Sequence, residues 1–213
     1  MPAVTVYGPA YSTYVRTIRL VLEEKGAPYE LVEVDILKGE AKAPAHLARN
    51  PFGKVPALEH DGLSLYETGA ITRYLDRVLE GPRLTPTDVR SEARMNQIIG
   101  IVDAHAYPAI ITKLFIQRVV TPMMGDKADE EAIGAAMPTI KTSLEELDRL
   151  VGGDPFAAGP ALSLADLHLA PVFAYLVATP ESGQLLANRA NLNRWWQSVS
   201  ARDSVRKTEP KLG

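Results

Sequence analysis

The sequence contains no cysteine. That excludes disulfides, thiolate metal sites and every mechanism that runs through a protein thiol nucleophile. If this chain does sulfur chemistry, the sulfur belongs to a ligand. Histidine is also scarce: His46, His60, His105 and His168 are the only four, none at a metal-ligand spacing, so no metal site is expected. Neither sign of charge dominates, with 23 Lys and Arg against 26 Asp and Glu. The net charge is −3 with Lys and Arg scattered, which gives no case for nucleic acid. No apolar run approaches the ~18 residues of a membrane helix, and no charged-then-apolar segment opens the chain. The default expectation is a cytoplasmic protein with no membrane partner.

What is present is ordinary in bulk. With 213 residues, 46% apolar and 23% charged, the chain has room for one large or two small domains with a sizeable core. The information is local, and most of it lies in Asn50 to Thr68, NPFGKVPALEHDGLSLYET. Ala57-Leu58 and Leu63 to Tyr66 flank Asp61-Gly62, a dipeptide suited to a tight hairpin turn. Pro56 cannot donate to a sheet ladder, so it stands at a strand start or edge, and it pushes Val55 to extended geometry. An extended Val55 offers a backbone N–H and C=O to another extended chain, such as a small peptide. Thr68 is the expected N-cap of the following helix, where its hydroxyl and nearby N–H groups favour a carboxylate. Glu67 beside it is suited to an ammonium. A backbone slot with such a clamp fits a short zwitterionic peptide; an ordinary hairpin entering a capped helix fits the same residues.

In chain order, Ala3 to Tyr7 reads as a short buried strand, and Ser12-Thr13 opens a helix that Gly26 ends, with Pro28 beyond it. Tyr29 to Val34 alternates as a second strand, which makes a right-handed parallel unit. Lys38 to Arg49 is polar and irregular, with a helical turn or two. The hairpin and a helix from Thr68 to Leu79 complete a βαβ–ββα order, that of a thioredoxin-like domain over residues 1–80. A linker over 81–88 follows, then an all-helical domain over 89–213. Within it, Val89 to Val119 is a long helix bent near Pro108. Asp129 to Val151 is helical and interrupted or kinked at Pro138, Ser163 to Leu176 opens on a near capping box with Asp166, and Asn191 to Ala201 carries Trp195-Trp196. Phe173 and the tryptophans read as core.

Four features together resemble the cytosolic glutathione transferases over essentially the whole chain: the NPFGKVP run, Tyr66-Glu-Thr-Gly-Ala-Ile71, Ser163-Leu-Ala-Asp166, and Tyr7-Gly-Pro-Ala-Tyr-Ser12. The nearest pattern is the serine-type phi class of plants and its bacterial relatives, with Lys54 where that pattern has glutamine. The resemblance implies an α/β thioredoxin-like domain followed by an all-α domain, usually in a homodimer, and a cis Val55–Pro56 bond. It implies glutathione as co-substrate and an electrophilic apolar second substrate.

The reaction needs the ligand thiol as a thiolate near neutral pH, against an ordinary pKa of about 8.5. A helix N-terminus supplies about 0.3–1 kcal/mol, up to ~2 when partly buried. A hydroxyl donor adds a charge-assisted bond. At about 1.4 kcal/mol per unit, the two reach one to two units. Ser12, at the first helix start, is the expected donor, or else simply the helix N-cap. Tyr7 competes, Tyr11 and Tyr14 rank lower, and Arg16 matches an arginine of the phi pattern. By resemblance, Ala41 and Lys42 meet the glycine end with Lys54 as a further cation. Val55, ahead of Pro56, holds the cysteinyl backbone, and Glu67 and Thr68 hold the γ-glutamyl end. Asp103 loosely matches an acid that reaches across the dimer in some classes. Tyr11, Tyr107, Ile111, Leu114 and Phe115 are the expected apolar wall, each with core packing as the competing reading. The alternative function is a catalytically idle interaction module. A glutathione-dependent thiol reductase is disfavoured because it generally needs a cysteine near position 12.

Overall fold

The protein is described from a computed structural model covering residues 4–210; the expected strand residue Ala3 lies outside them. The chain divides into two compact units. One holds the residues up to Thr85 together with those from Arg202 onward, and the other runs from Pro86 to Ala201.

The first unit is built on a four-stranded sheet. Strands β1 (Val4–Tyr7), β2 (Tyr29–Val32), β3 (Ala57–His60) and β4 (Leu63–Tyr66) lie in the order β2-β1-β3-β4. β1 runs parallel to β2 and antiparallel to β3, and the Asp61-Gly62 turn closes β3 on β4 with His60 opposite Leu63. Alternation places Val4 and Val6 in the core and Thr5 and Tyr7 on the other face. Helix α1 (Thr13–Lys25) buries Val15, Ile18, Val21 and Leu22. It ends at Gly26 in the left-handed region, φ 64°, where the Gly26 and Ala27 N–H groups take up the Leu22 and Glu23 carbonyls. The irregular segment folds as a 3-10 turn, Glu40–Lys42, and a single helical turn α2, Pro44–Leu47. Helix α3 (Thr68–Val78) follows the hairpin.

Two polar junctions hold this unit. Lys25 Nζ meets Asp76 Oδ1 at 2.8 Å with both side chains almost wholly buried, and the same carboxylate oxygen accepts the Leu84 N–H at 2.8 Å. Burial raises the Asp76 carboxyl, but bonds from Lys25, Thr85 and Leu84 outweigh it and hold the group below its ordinary value. Arg202 meets Glu24 in a two-pronged pair, 2.8 and 2.6 Å.

That second junction corrects the expected domain boundary. The last helix, α10 (Asp203–Lys207), belongs to the first unit and not to the helical domain. Arg16 explains why. It is 3% exposed, not a solvated helix residue, and its guanidinium donates to the Val205 carbonyl at 3.0 Å and the Thr208 hydroxyl at 3.4 Å.

The second unit is helical. α4 (Val89–Ile101) continues through wide-turn π segments, Val102–Ala106 and Pro108–Val120, into α5 (Thr121–Met123). The two halves meet at 45° about Pro108, as the proline requires. α6 (Glu130–Val151), α7 (Leu164–Val177), α8 (Ser182–Leu186) and α9 (Ala190–Ser200) complete it. Pro138 does not interrupt α6. It lies on the exposed face with glycine, Gly134, four residues before it, so the freed Gly134 carbonyl faces solvent. Among the described residues no single helix is long and apolar enough to cross a membrane.

Asp166 organises this unit's core. It is fully buried at the third position of α7 and completes the capping box with Ser163. Its Oδ1 accepts the Ala157 N–H at 2.7 Å and the Trp195 indole N–H at 2.8 Å. Its Oδ2 accepts the Ser163 N–H and hydroxyl at 2.8 and 2.9 Å. Burial pushes this carboxyl up, and the four donors oppose the push. Trp195 is fully buried and packs edge-on against Phe173, ring centres 5.4 Å apart. Trp196 is half-buried and lies 5.2 Å from Phe173.

Candidate functional site

The edge of the first unit where β1 ends carries most of the sequence-derived candidates. Three segments meet there because Gly8 has no side chain. A β-carbon on Gly8, at φ 145°, would lie 2.5 Å from Val15 Cγ2 and 3.0 Å from Val55 Cβ. The close approach brings the end of β1, the start of α1 and the loop before β3 together.

Ser12 is the N-cap of α1, with extended backbone. Its Oγ accepts the Val15 N–H at 3.5 Å, the outer limit of a hydrogen bond. Among the described residues its hydroxyl hydrogen has no acceptor. The residue is half-buried, and the first amides of α1 lack intrahelical partners, as at any helix start. Tyr7 is differently placed. Its hydroxyl donates to Glu59 Oε2 at 2.7 Å, and Arg49 lies 4.1 Å above its ring while pairing Glu59 Oε1 at 2.9 Å. Burial and the bond to Glu59 push the Tyr7 phenol up. Tyr11 is half-buried in the same unit, its phenol pushed up by burial and by Asp35 and Glu33.

Val55 precedes Pro56 through a cis peptide bond, as the resemblance implied. The ladder of β3 starts at Ala57, and no described residue makes a hydrogen bond to the Val55 N–H or C=O. Lys54 is exposed and its ammonium has no partner among the described residues. The Lys42 ammonium donates to the Phe52 carbonyl at 2.9 Å and lies across Gly53, where a β-carbon would meet Nζ at 2.7 Å. Ala41 is buried beneath it.

One expectation at the α3 start needs correction. Thr68 is not the N-cap but the first helical residue, buried. The N-cap is Glu67, at φ 70° and ψ 110°, a backbone region that a side chain of this size rarely adopts. The chain leaves β4 at Tyr66 and must reverse within one residue, which moves the cap back by one. The Glu67 carboxylate is exposed and has no partner among the described residues. Such a conformation costs backbone strain, which the hairpin and the helix start together hold in place.

The expected apolar wall divides between the units. Tyr11 lies in the first. In the second, Leu114 is fully buried and offers no surface to a ligand, which corrects its assignment to the wall; Ile111 and Phe115 are nearly as buried. Phe115 stacks on Tyr175 with ring centres 4.2 Å apart. Tyr107 is half-buried, and burial pushes its phenol up. Asp103 lies 3.8 Å from His168 Nδ1. Sequence reasoning missed His46. It is buried on α2 with Nε2 2.8 Å from the Lys54 carbonyl oxygen. A histidine in a polar, irregular segment carries no local signal of such a contact. Among the described residues no group of acids and histidines could hold a metal ion.

Comparison with known proteins decides the family. The family model "Glutathione S-transferase, N-terminal domain" matches residues 2–77, and "Glutathione S-transferase, C-terminal domain" matches residues 111–203. The chain belongs to the glutathione S-transferase family. The probable glutathione S-transferase GSTF1 of Oryza sativa subsp. japonica is 35% identical, over 97% of this chain and 95% of its own. The structure of glutathione transferase F2 from Populus trichocarpa superposes with a TM-score of 0.87 at 32% identity, covering 96% of each chain. Glutathione S-transferase I from maize, solved with an atrazine–glutathione conjugate, gives 0.84 at 32% identity, covering 98% of this chain and 96% of its own. These relatives are plant phi-class enzymes. Glutathione transferases use glutathione as co-substrate, and the thioredoxin-like and helical architecture above is theirs.

Proposed function

We propose that this glutathione transferase conjugates glutathione to an electrophilic apolar substrate, with the Ser12 hydroxyl and the α1 N-terminus holding the thiol as thiolate. The observation that carries the reading is the contrast between two hydroxyls. The Tyr7 proton is given to Glu59, whereas the Ser12 proton has no protein acceptor and stands where the helix amides favour an anion. Val55 N–H and C=O pair the cysteinyl backbone. Glu67 takes the γ-glutamyl ammonium, and the Thr68 end of α3 takes its carboxylate. Lys42 and Lys54 meet the glycyl carboxylate, above the buried Ala41. Tyr11 is the first unit's candidate contact for the electrophile, and Tyr107 is the second unit's.

Residence in the cytoplasm, where a glutathione pool is maintained, and a homodimer belong to the same proposal. The exposed Phe52, edge-on to Tyr66 at 5.9 Å, supports an association surface on the first unit. The test is turnover of a chromogenic aryl halide with glutathione. Ser12→Ala should lower kcat roughly 10- to 100-fold, the equivalent of one to two units of thiol pKa, with glutathione affinity changed far less. Tyr7→Phe should keep most of the activity. The reverse pattern would assign the thiol to Tyr7.

A further inference from the structure

The Lys54–Val55 peptide unit is clamped from one side by two side chains that the chemistry above does not use. His46, 4% exposed, brings Nε2 within 2.8 Å of the Lys54 carbonyl oxygen. That oxygen only accepts, so the ring carries its proton on Nε2. Asn50, 3% exposed, donates Nδ2–H to the same oxygen at 2.9 Å, and its own Oδ1 is fixed by the Phe52 N–H at 3.1 Å. Both lone pairs of the carbonyl are occupied. His46 Nδ1 is buried with no hydrogen-bond partner among the described residues, so the Lys54 carbonyl is the ring's one polar tie. A trans peptide is planar, and its N–H points opposite to its C=O. Holding the Lys54 oxygen toward α2 therefore turns the Val55 N–H away from it, to the side where no protein group meets it.

We infer that His46, as the Nε2–H tautomer and together with Asn50, is a positioning residue for the peptide backbone of glutathione. It acts by aiming the Val55 N–H. The inference rests on reading Val55 as the backbone slot. It explains why a buried histidine with one unused nitrogen is kept next to an exposed loop, where an apolar side chain would pack at lower cost.

The experiment follows the Val55 amide resonance of 15N-labelled protein during a glutathione titration, with kcat and a thermal melt measured on each variant. In the wild type the amide should shift on saturation, and His46 should show the Nε2–H tautomer in its ring-nitrogen shifts. His46→Phe should weaken glutathione roughly two- to tenfold, the range for one lost hydrogen bond, and shrink the Val55 shift. Its kcat at saturating glutathione should change less than twofold. His46→Gln, which keeps an N–H donor, should recover most of the affinity. Asn50→Asp, which keeps the Phe52 bond and loses the donor, should act in the same direction as His46→Phe even if the phenylalanine variant folds poorly. Wild-type affinity with an intact Val55 shift in both His46→Phe and Asn50→Asp would overturn the inference. So would a His46→Gln variant of wild-type stability that recovers nothing. A wild-type Val55 amide that ignores saturating glutathione would remove the slot itself, a separate and recognisable failure.

Discussion

Asp166 and the β1 edge are opposite treatments of polar groups in one chain. In the helical unit, four donors converge on one buried carboxylate, and nothing is left for a ligand. At the β1 edge, the Ser12 hydroxyl hydrogen, the Val55 N–H and C=O and the Glu67 carboxylate have no partner among the described residues. Yet the segments bearing them are tightly held: Gly8 touches Val15 and Val55, and Lys25 is buried on Asp76. Polar groups that a fold needs are satisfied within it. Groups left open on a rigid frame are available to something else. The difference separates what holds this molecule together from what, in the function proposed above, it offers to glutathione.

Breaking the closed side should have the largest effect. Asp166→Ala removes the acceptor of four buried donors, and the loss should be about 3–5 kcal/mol, read as a lower denaturant midpoint. A near-unchanged midpoint would mean that the network is incidental. Lys25→Met is the counterpart in the first unit. It strands the Asp76 carboxylate and should cost a similar ~3–5 kcal/mol.

Acid distinguishes that pair further. The Asp76 carboxyl is held below its ordinary value of 3.8, and Glu24, against burial and with the help of Arg202 and Ser204, below 4.5. Groups with depressed pKa values stabilise the fold fully above those ordinary values and lose that contribution as pH falls through the folded ones. Melting temperature should therefore drop below about pH 4, and the acid-linked part of the drop should shrink in Lys25→Met. A profile identical in wild type and variant would contradict the assignment.

Opening the other side further should be milder in stability and selective in binding. Glu67→Gln removes a charge that no described residue uses. The melt should stay within about 0.5 kcal/mol, as for surface changes. Glutathione affinity by calorimetry should fall roughly tenfold, near the value of one charge-assisted hydrogen bond. A fall in stability with affinity intact would move Glu67 to the closed class.

What was legible in the sequence followed the same division. Gly26, Asp61-Gly62 and Ser163 with Asp166 announce their elements because caps and turns are made by neighbours in sequence. Ser12, Val55 and Glu67 were legible as open groups for the same reason: each stands at an element end. Contacts across long sequence separations were not. The burial of Arg16 carries no local signal because its partners, Val205 and Thr208, lie nearly the whole chain away. The last helix was assigned to the wrong unit on the same grounds. Leu114 and Phe115 showed helical spacing, which does not say whether a face meets a ligand or a core. The positive φ of Glu67 depends on how abruptly β4 gives way to α3, a property of the hairpin and not of the residue.

In the proposed function, a hydroxyl left open at the α1 start turns the glutathione thiol into a thiolate. The most direct measurement is the ultraviolet absorbance of bound glutathione thiolate as a function of pH, in wild type, Ser12→Ala and Tyr7→Phe. The bound thiol should ionise one to two units below the ordinary value of about 8.5 in wild type and Tyr7→Phe, and return most of the way in Ser12→Ala. An unshifted titration in Ser12→Ala, with the shift lost in Tyr7→Phe, would contradict it.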